Sequence, residues 1–300
     1  MKKTLLPLTV ACALALAIAP SAKAQLIAND AFLTSGGEPA NYNTGSDAGQ
    51  NPTNTLGFAG GWSGGSSISS TPITYSGTTG YVTTPGAGSL DMTNAQTRDT
   101  RQLTNSVINA FTATSGTVYM SFEYQLPSVF VAGNDYQALE LGDNGGNARF
   151  LQIGYSSFGD FGGSPSNFGV RVNDSAALRG NLGAADANAH LFVVALTLGV
   201  GATDSMTVWE DPTGISGSNP TGGTQVTISG FAVNNLDTST HDFLGVGQFS
   251  QNGGATGMQI SEVRIGNTVF DVVPEVPTSS LTLLGLGALV VVMARRKMVA

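Results

Sequence analysis

From Met120 onward, apolar and polar side chains alternate. Met120, Phe122, Tyr124 and Leu126 fall on one side, and Ser121, Glu123 and Gln125 on the other. A period of two predicts a half-buried antiparallel strand over 118–126. Further strands are expected at 136–141, 149–155, 168–172, 226–233, 243–249 and 258–270. The first of these ends in the turn Gly142-Asp143-Asn144-Gly145-Gly146. Residues 191–198 and 205–210 read as a hairpin through a Gly/Asp turn, closed by Asp211-Pro212. Sustained helical periodicity is absent between the two ends, and 106–113 is the best candidate for a helical turn. Short strands separated by Gly, Asn and Ser predict an all-β fold, a two-sheet antiparallel β-sandwich. No fixed-period repeat points to a propeller or solenoid.

The two ends follow a different pattern. Lys2 and Lys3 precede an apolar stretch from Leu5 to Ala19, and Ala22-Lys23-Ala24 then offers a small-x-small site before Gln25. Residues 1–24 therefore read as a signal peptide cleaved after Ala24. At the other end Leu281 to Ala294 is apolar apart from Thr282, and Arg295-Arg296-Lys297 follows at once. With the residues just before it, this run predicts a transmembrane helix over 279–294 with its basic end inside the cell. Three segments result: a leader (1–24), a β-sandwich body (25–272) and a tail (273–300).

Charge sharpens the description of the body. Six of the 12 basic residues lie in the ends, and 19 of the 20 acids lie between Asp30 and Asp271, so the body carries about −13. Such a surface repels phosphate backbones, and a nucleic-acid partner is not expected. The single cysteine, Cys12, is in the leader, which excludes disulfides and thiolate metal sites from the body.

Pro274-Glu275-Val276-Pro277, the apolar run and Arg295-Arg296-Lys297 together resemble the PEP-CTERM sorting tail of exported Gram-negative proteins. Val276 stands where that family has proline. The resemblance implies Sec-type export, an inner-membrane-anchored intermediate, and recognition by an exosortase-type protease. The destination it implies is the cell surface or the extracellular space. Phe32 with Gly60-Gly61-Trp62, the 191–212 hairpin and the closing Ile260 to Gly266 with Phe270-Asp271-Val272 resemble a concanavalin A-like, laminin-G-like jelly roll. That resemblance implies two sheets, one of them concave, as in carbohydrate-binding members.

No complete catalytic set is visible. Gly61-Trp62-Ser63-Gly64-Gly65 fits a nucleophile elbow literally, but no helix can start in the Ser/Thr/Pro run that follows. His190 and His241 lack metal-ligand spacing. Glu123 and Glu140 sit on consecutive strands, where they are expected on solvated faces. Asp143, Asn144 and Asn147 are the candidate calcium ligands in an oxygen-rich turn. Trp62 and Trp209 are the candidate sugar-stacking residues, Trp209 because it lies opposite to Met206 and Val208 across its strand. The expectation is a non-enzymatic, exported cell-surface or extracellular-matrix protein, structural or carbohydrate-binding, with no cofactor beyond calcium. The alternative is a jelly-roll glycoside hydrolase that uses Glu123 and Glu140 on an extracellular polysaccharide.

Overall fold

The computed structural model describes residues 26–35, 40–77, 81, 83–92, 96–127, 135–142, 148–161, 166–201, 203–250 and 257–273. The signal-peptide site, the sorting tail and the calcium candidates Asp143, Asn144 and Asn147 lie outside them. No helix among the described residues is long and apolar enough to cross a membrane.

In chain order the strands begin with β1 (Leu26–Asp30), β2 (Gly45–Ser46), β3 (Phe58–Ser63), β4 (Ser67–Ser69), β5 (Ser89–Met92) and β6 (Gln96–Leu103). A short helix, α1 (Asn105–Phe111), precedes β7 (Gly116–Gln125), β8 (Asp135–Leu141), β9 (Leu151–Ser156), β10 (Asn167–Val172) and β11 (Arg179–Ala184). Then come β12 (Ala189–Leu198), β13 (Asp204–Glu210), β14 (Gly214–Ser216), β15 (Asn219–Thr221), β16 (Thr224–Phe231), β17 (Phe243–Ser250) and β18 (Met258–Gly266). One helical turn, α2 (Val269–Val272), follows.

These strands form two large antiparallel sheets and a small hairpin. The first sheet runs β16-β13-β12-β7-β18-β5-β4-β2, with β1 also on β18. The second runs β11-β10-β9-β8-β17-β6-β3. The chain crosses between the two large sheets after β2, β3, β5, β6, β7, β11, β16 and β17. Consecutive strands thus often face each other across the core instead of pairing.

Alternation builds the core. Met120, Phe122 and Tyr124 of β7 point between the sheets and meet Phe192 and Phe168, with Tyr124 edge-on to both rings. Leu139 and Leu141 of β8, and Leu244 and Val246 of β17, fill the same layer from the other sheet. Each such side chain contributes about 1.5–3 kcal/mol by leaving water. The β12–β13 hairpin forms with Thr197 opposite Ser205, and Asp204 caps its turn by accepting the Gly199 N–H at 2.8 Å. α1 buries Val107, Ile108 and Phe111 at the helical turn expected there.

The outer faces depart from the expected half-burial. Every residue of β8 and β9 is buried, as is most of β7. Outside the first sheet, α2 and residues near Tyr75 and Tyr81 cover β7, and Ser121 Oγ donates to the Val272 carbonyl at 2.6 Å. Glu123 and Glu140 are both 0% exposed, so neither lies on a solvated face.

Candidate functional site

The outer face of the second sheet carries an open cleft of about 570 Å³. Its register explains its shape. In one row across the sheet, Arg98 is opposite Gly247, Gly247 opposite Ala138, Ala138 opposite Gly154 and Gly154 opposite Gly169. These small residues leave space above the strands, part of which Phe161 fills by packing over Gly169 and Tyr136. The adjacent row brings Glu140, Gln152 and Arg171 side by side on β8, β9 and β10. The row on the other side holds Phe249 opposite Tyr136.

Charged groups converge here. Glu140 is fully buried beneath the cleft and holds two guanidinium groups, with Arg98 Nε at 2.8 Å and Arg149 Nε at 3.0 Å. Tyr136 donates its phenol proton to the same carboxylate, and Gln152 Nε2 donates to the phenol oxygen at 2.7 Å. Asp174 steadies Arg171 at 3.6 Å and accepts the Arg149 backbone N–H at 2.8 Å. Burial, then the Glu140 charge, push the Tyr136 phenol well above its usual range, which keeps it protonated. Exposed Phe158 and Phe249 stand at the rim with ring centroids 6.0 Å apart. Three of the body's six arginines therefore line one cleft of an otherwise acidic domain.

Several sequence expectations are corrected. Trp62 is 2% exposed, lies in the core against Phe32, and donates from Nε1 to Tyr42 Oη at 2.9 Å. It has no face free for a sugar. Trp209 does point away from the inter-sheet core, as its position on β13 implies. It is nonetheless 6% exposed, within an outer cluster of Leu191, Val193 and Tyr119 against which Ile215 of the small hairpin packs. The aromatic pair at the cleft, Phe158 in turn-rich sequence and Phe249 at the end of the expected 243–249 strand, had no signal beyond hydrophobicity. Glu123 and Glu140 do not form a pair. β7 and β8 belong to different sheets, and each carboxylate points outward from its own. Glu123 sits instead with Thr83, Tyr81 and Glu262, and burial pushes its carboxyl up to about 8. Packed sheets stand roughly 10 Å apart, and the side chains on the two outer faces lie farther apart still. No sugar bond can lie between them.

Ser63 of the elbow-like pentapeptide bonds Thr100, and β4 follows it, not a helix. His241 is bound to Asp237 in a loop. His190 opens β12 and contacts Asp211 at 2.8 Å, Asp186 at 3.0 Å and Glu210 at 3.4 Å. His190, Glu210 and Asp211 offer ligand atoms within 4.8 Å of one another. Hydrogen bonding accounts for these groups: Asp211 also accepts the Leu191 N–H, and Glu210 accepts the Gly183 N–H.

No protein-family model and no curated protein matches the chain. Solved structures do. An endo-β-1,4-glucuronan lyase from the fungus Trichoderma reesei matches at 12% identity and a TM-score of 0.43, over 70% of this chain and 89% of that one. A carbohydrate esterase from a Shiga toxin-encoding bacteriophage matches at 13% and 0.40, over 68% and 89%. The botulinum neurotoxin serotype C1 binding domain matches at 12% and 0.44, over 81% of this chain and 51% of that one, so the chain spans about half of the toxin fragment. Likeness at this level says nothing of what this chain does. The expectation of a non-enzymatic body is withdrawn on the geometry of the cleft. That expectation rested on the lack of any assembled set of reactive groups, and the cleft assembles Tyr136, Glu140, Gln152 and three arginines.

Proposed function

We propose that this is an exported protein whose jelly-roll body binds a polysaccharide bearing uronate carboxylates in the arginine-lined cleft and cleaves it by β-elimination. The observation that carries this reading is the convergence of Arg98, Arg149 and Arg171 with Tyr136 and Gln152 on one open face of an acidic domain. Guanidinium N–H edges held from behind by carboxylates are preorganised donors for a carboxylate. Phe158 and Phe249 offer apolar rims against which sugar C–H faces can pack.

Pairing the uronate carboxylate with arginine acidifies the neighbouring C5–H. Tyr136 oxygen takes the C5 proton as its own passes to Glu140. The electron pair forms the C4–C5 double bond, the C4–O bond breaks, and a proton returns through the phenol to the departing oxygen. Hydrolysis fits less well. It needs two available carboxyls flanking the bond, and Glu140 is fully buried and held by two arginines.

The test is incubation of the purified protein with polyglucuronate, alginate and polygalacturonate beside a neutral glucan. The expected outcome is ultraviolet absorbance from unsaturated ends with an acidic polymer alone. Tyr136→Phe should lose about 10²–10⁴-fold in kcat while still retaining the polymer, and Arg149→Ala should raise KM. New reducing ends without that absorbance would mean hydrolysis, and no binding to any acidic polymer would end the proposal.

Export and sorting remain part of the proposal on sequence grounds: the Ala22-Lys23-Ala24 site, Pro274 to Pro277, the 279–294 run and Arg295-Arg296-Lys297. Mass spectrometry of the native protein's two ends tests both cuts. Intact residues at both ends would remove this part without touching the cleft.

A further inference from the structure

The strand that supplies Arg98 to the cleft turns its next side chain, Asp99, the other way, between the sheets. There it meets Asp47, from the loop after β2. Both residues are 0% exposed. Asp99 Oδ1 accepts the Gly65 N–H at 3.1 Å and the Thr97 hydroxyl at 3.3 Å. Its other oxygen, Oδ2, and both oxygens of Asp47 are buried and meet no N–H or O–H donor among the described residues; the two carboxyls face each other closely enough to share one proton. The backbone N–H groups of Asp47 and Ser66 ease the Asp47 charge without reaching hydrogen-bond geometry.

Among the described residues no cation answers these two carboxylates. The guanidinium of Arg98 lies on the opposite face with Glu140, and that of Arg101 is taken by Asp30 at 2.7 Å, Tyr42, Asn51 and Thr55. Burying an anion without a partner costs several kcal/mol, and two side by side cost more. The backbone is moulded to the pair: a Cβ on Gly64 would overlap the Asp99 carboxylate. Two facing, buried carboxyls that no donor among the described residues reaches are a partial shell for a hard cation, which would take the place of the proton they share.

We propose that Asp47 and Asp99 bind a divalent cation, calcium by its chemistry, between the two sheets. Calcium accepts six to eight oxygen ligands in irregular geometry. The two aspartates supply the charge, and main-chain carbonyls and water complete the shell. Magnesium demands a near-ideal octahedron and keeps its waters, which suits a buried pair poorly. The site uses other residues than the calcium candidates of the sequence and is independent of the activity proposed above. It would tie the 46–50 loop to β6, and so stiffen the strand that presents Arg98.

Terbium luminescence on the purified full chain tests this, because the backbone of Trp62 lies beside the site, its carbonyl accepting the Gly49 N–H at 2.8 Å. Sensitised terbium emission that calcium displaces is expected, with affinity lost at least tenfold in Asp47→Asn and in Asp99→Asn. Calcium should raise the wild-type melting temperature by several degrees and leave Asp47→Asn unmoved. Without calcium, Asp47→Asn should melt at or above wild type, since the amide relieves the repulsion. Hydrogen exchange on wild type alone should slow at residues 46–50 and 63–66 when calcium is added. Absence of emission and of any melting shift in wild type would overturn the proposal. So would a calcium response kept in both variants, or protection confined to other segments.

Discussion

At the scale of single residues, the polar side chains that matter most are inside. Arg101 is 0% exposed, yet every arm of its guanidinium is used: Nη1 meets Asp30 and Tyr42, Nη2 meets Asn51 and Thr55, and Nε donates to the Gly60 carbonyl at 3.2 Å. Asp30 is matched in turn by the Tyr42 hydroxyl at 2.6 Å and the Phe32 N–H at 3.0 Å. Removing one member strands the others in low dielectric. Arg101→Leu is therefore expected to destabilise the fold by about 3–5 kcal/mol, read as a lowered urea midpoint. An unchanged midpoint would mean that water reaches Asp30. The same network explains why Trp62 misleads in sequence. Its indole N–H is bound to Tyr42, which is bound to Asp30. A tryptophan in a Gly-rich stretch looks like a surface platform until its hydrogen-bond partner, 20 residues away, is known.

Elements built on apolar alternation were legible, and elements built on buried charge were not. β7, β8, β12, β13, β17 and β18 each carry a period-two apolar face, and the sequence places all six. β6 reads Gln-Thr-Arg-Asp-Thr-Arg-Gln-Leu, with one apolar residue in eight. Its inward positions are Asp99, Arg101 and Leu103, and its outward Arg98 serves the cleft, so hydrophobic periodicity cannot find it. The cleft was hidden for the same reason, because its groups meet only through cross-strand register. The small hairpin β14–β15 was missed through shortness. Its Ile215 packs on the cluster that contains Trp209, and the Ser218 carbonyl accepts the Tyr119 hydroxyl at 2.9 Å. Replacing residues 214–221 with a short glycine link should uncover that cluster. The expected readout is a red shift of tryptophan emission from Trp209 in a Trp62→Phe background, with a lower melting temperature than that background alone. Emission unchanged after the deletion would mean that something other than the hairpin keeps Trp209 dry.

For the molecule as a whole, buried carboxyls set the dependence of stability on pH. Burial, then Glu262, push Glu123 to about 8. Burial, then Asp99, push Asp47 to about 7, and burial pushes Glu210 to about 7. Burial opposes the charged form of His190, but Asp211, Asp186 and Glu210 outweigh it and raise its pKa. In all four the folded state holds its proton more tightly than the unfolded chain does. Their contribution is thus complete below the unfolded value, near 4 for the carboxyls and 6.5 for His190. It is lost as pH rises through the folded value. Asp237 acts oppositely: its bonds to His241 and Ser239 lower its pKa, so its contribution fades only in acid. Stability should therefore peak near pH 5. With calcium chelated, it should fall between pH 5 and pH 9 by on the order of several kcal/mol, seen as a dropping urea midpoint. Glu123→Gln should make the fall shallower all the way up to about pH 8, while the Asp47 and Glu210 shares, complete by about pH 7, remain. Calcium in excess should remove the Asp47 share of that drop, because the ion takes the place of the proton. A midpoint that stays level or climbs from pH 5 to pH 9 in chelator would show that these carboxyls are solvated, and the packed outer faces of both sheets would have to be redrawn.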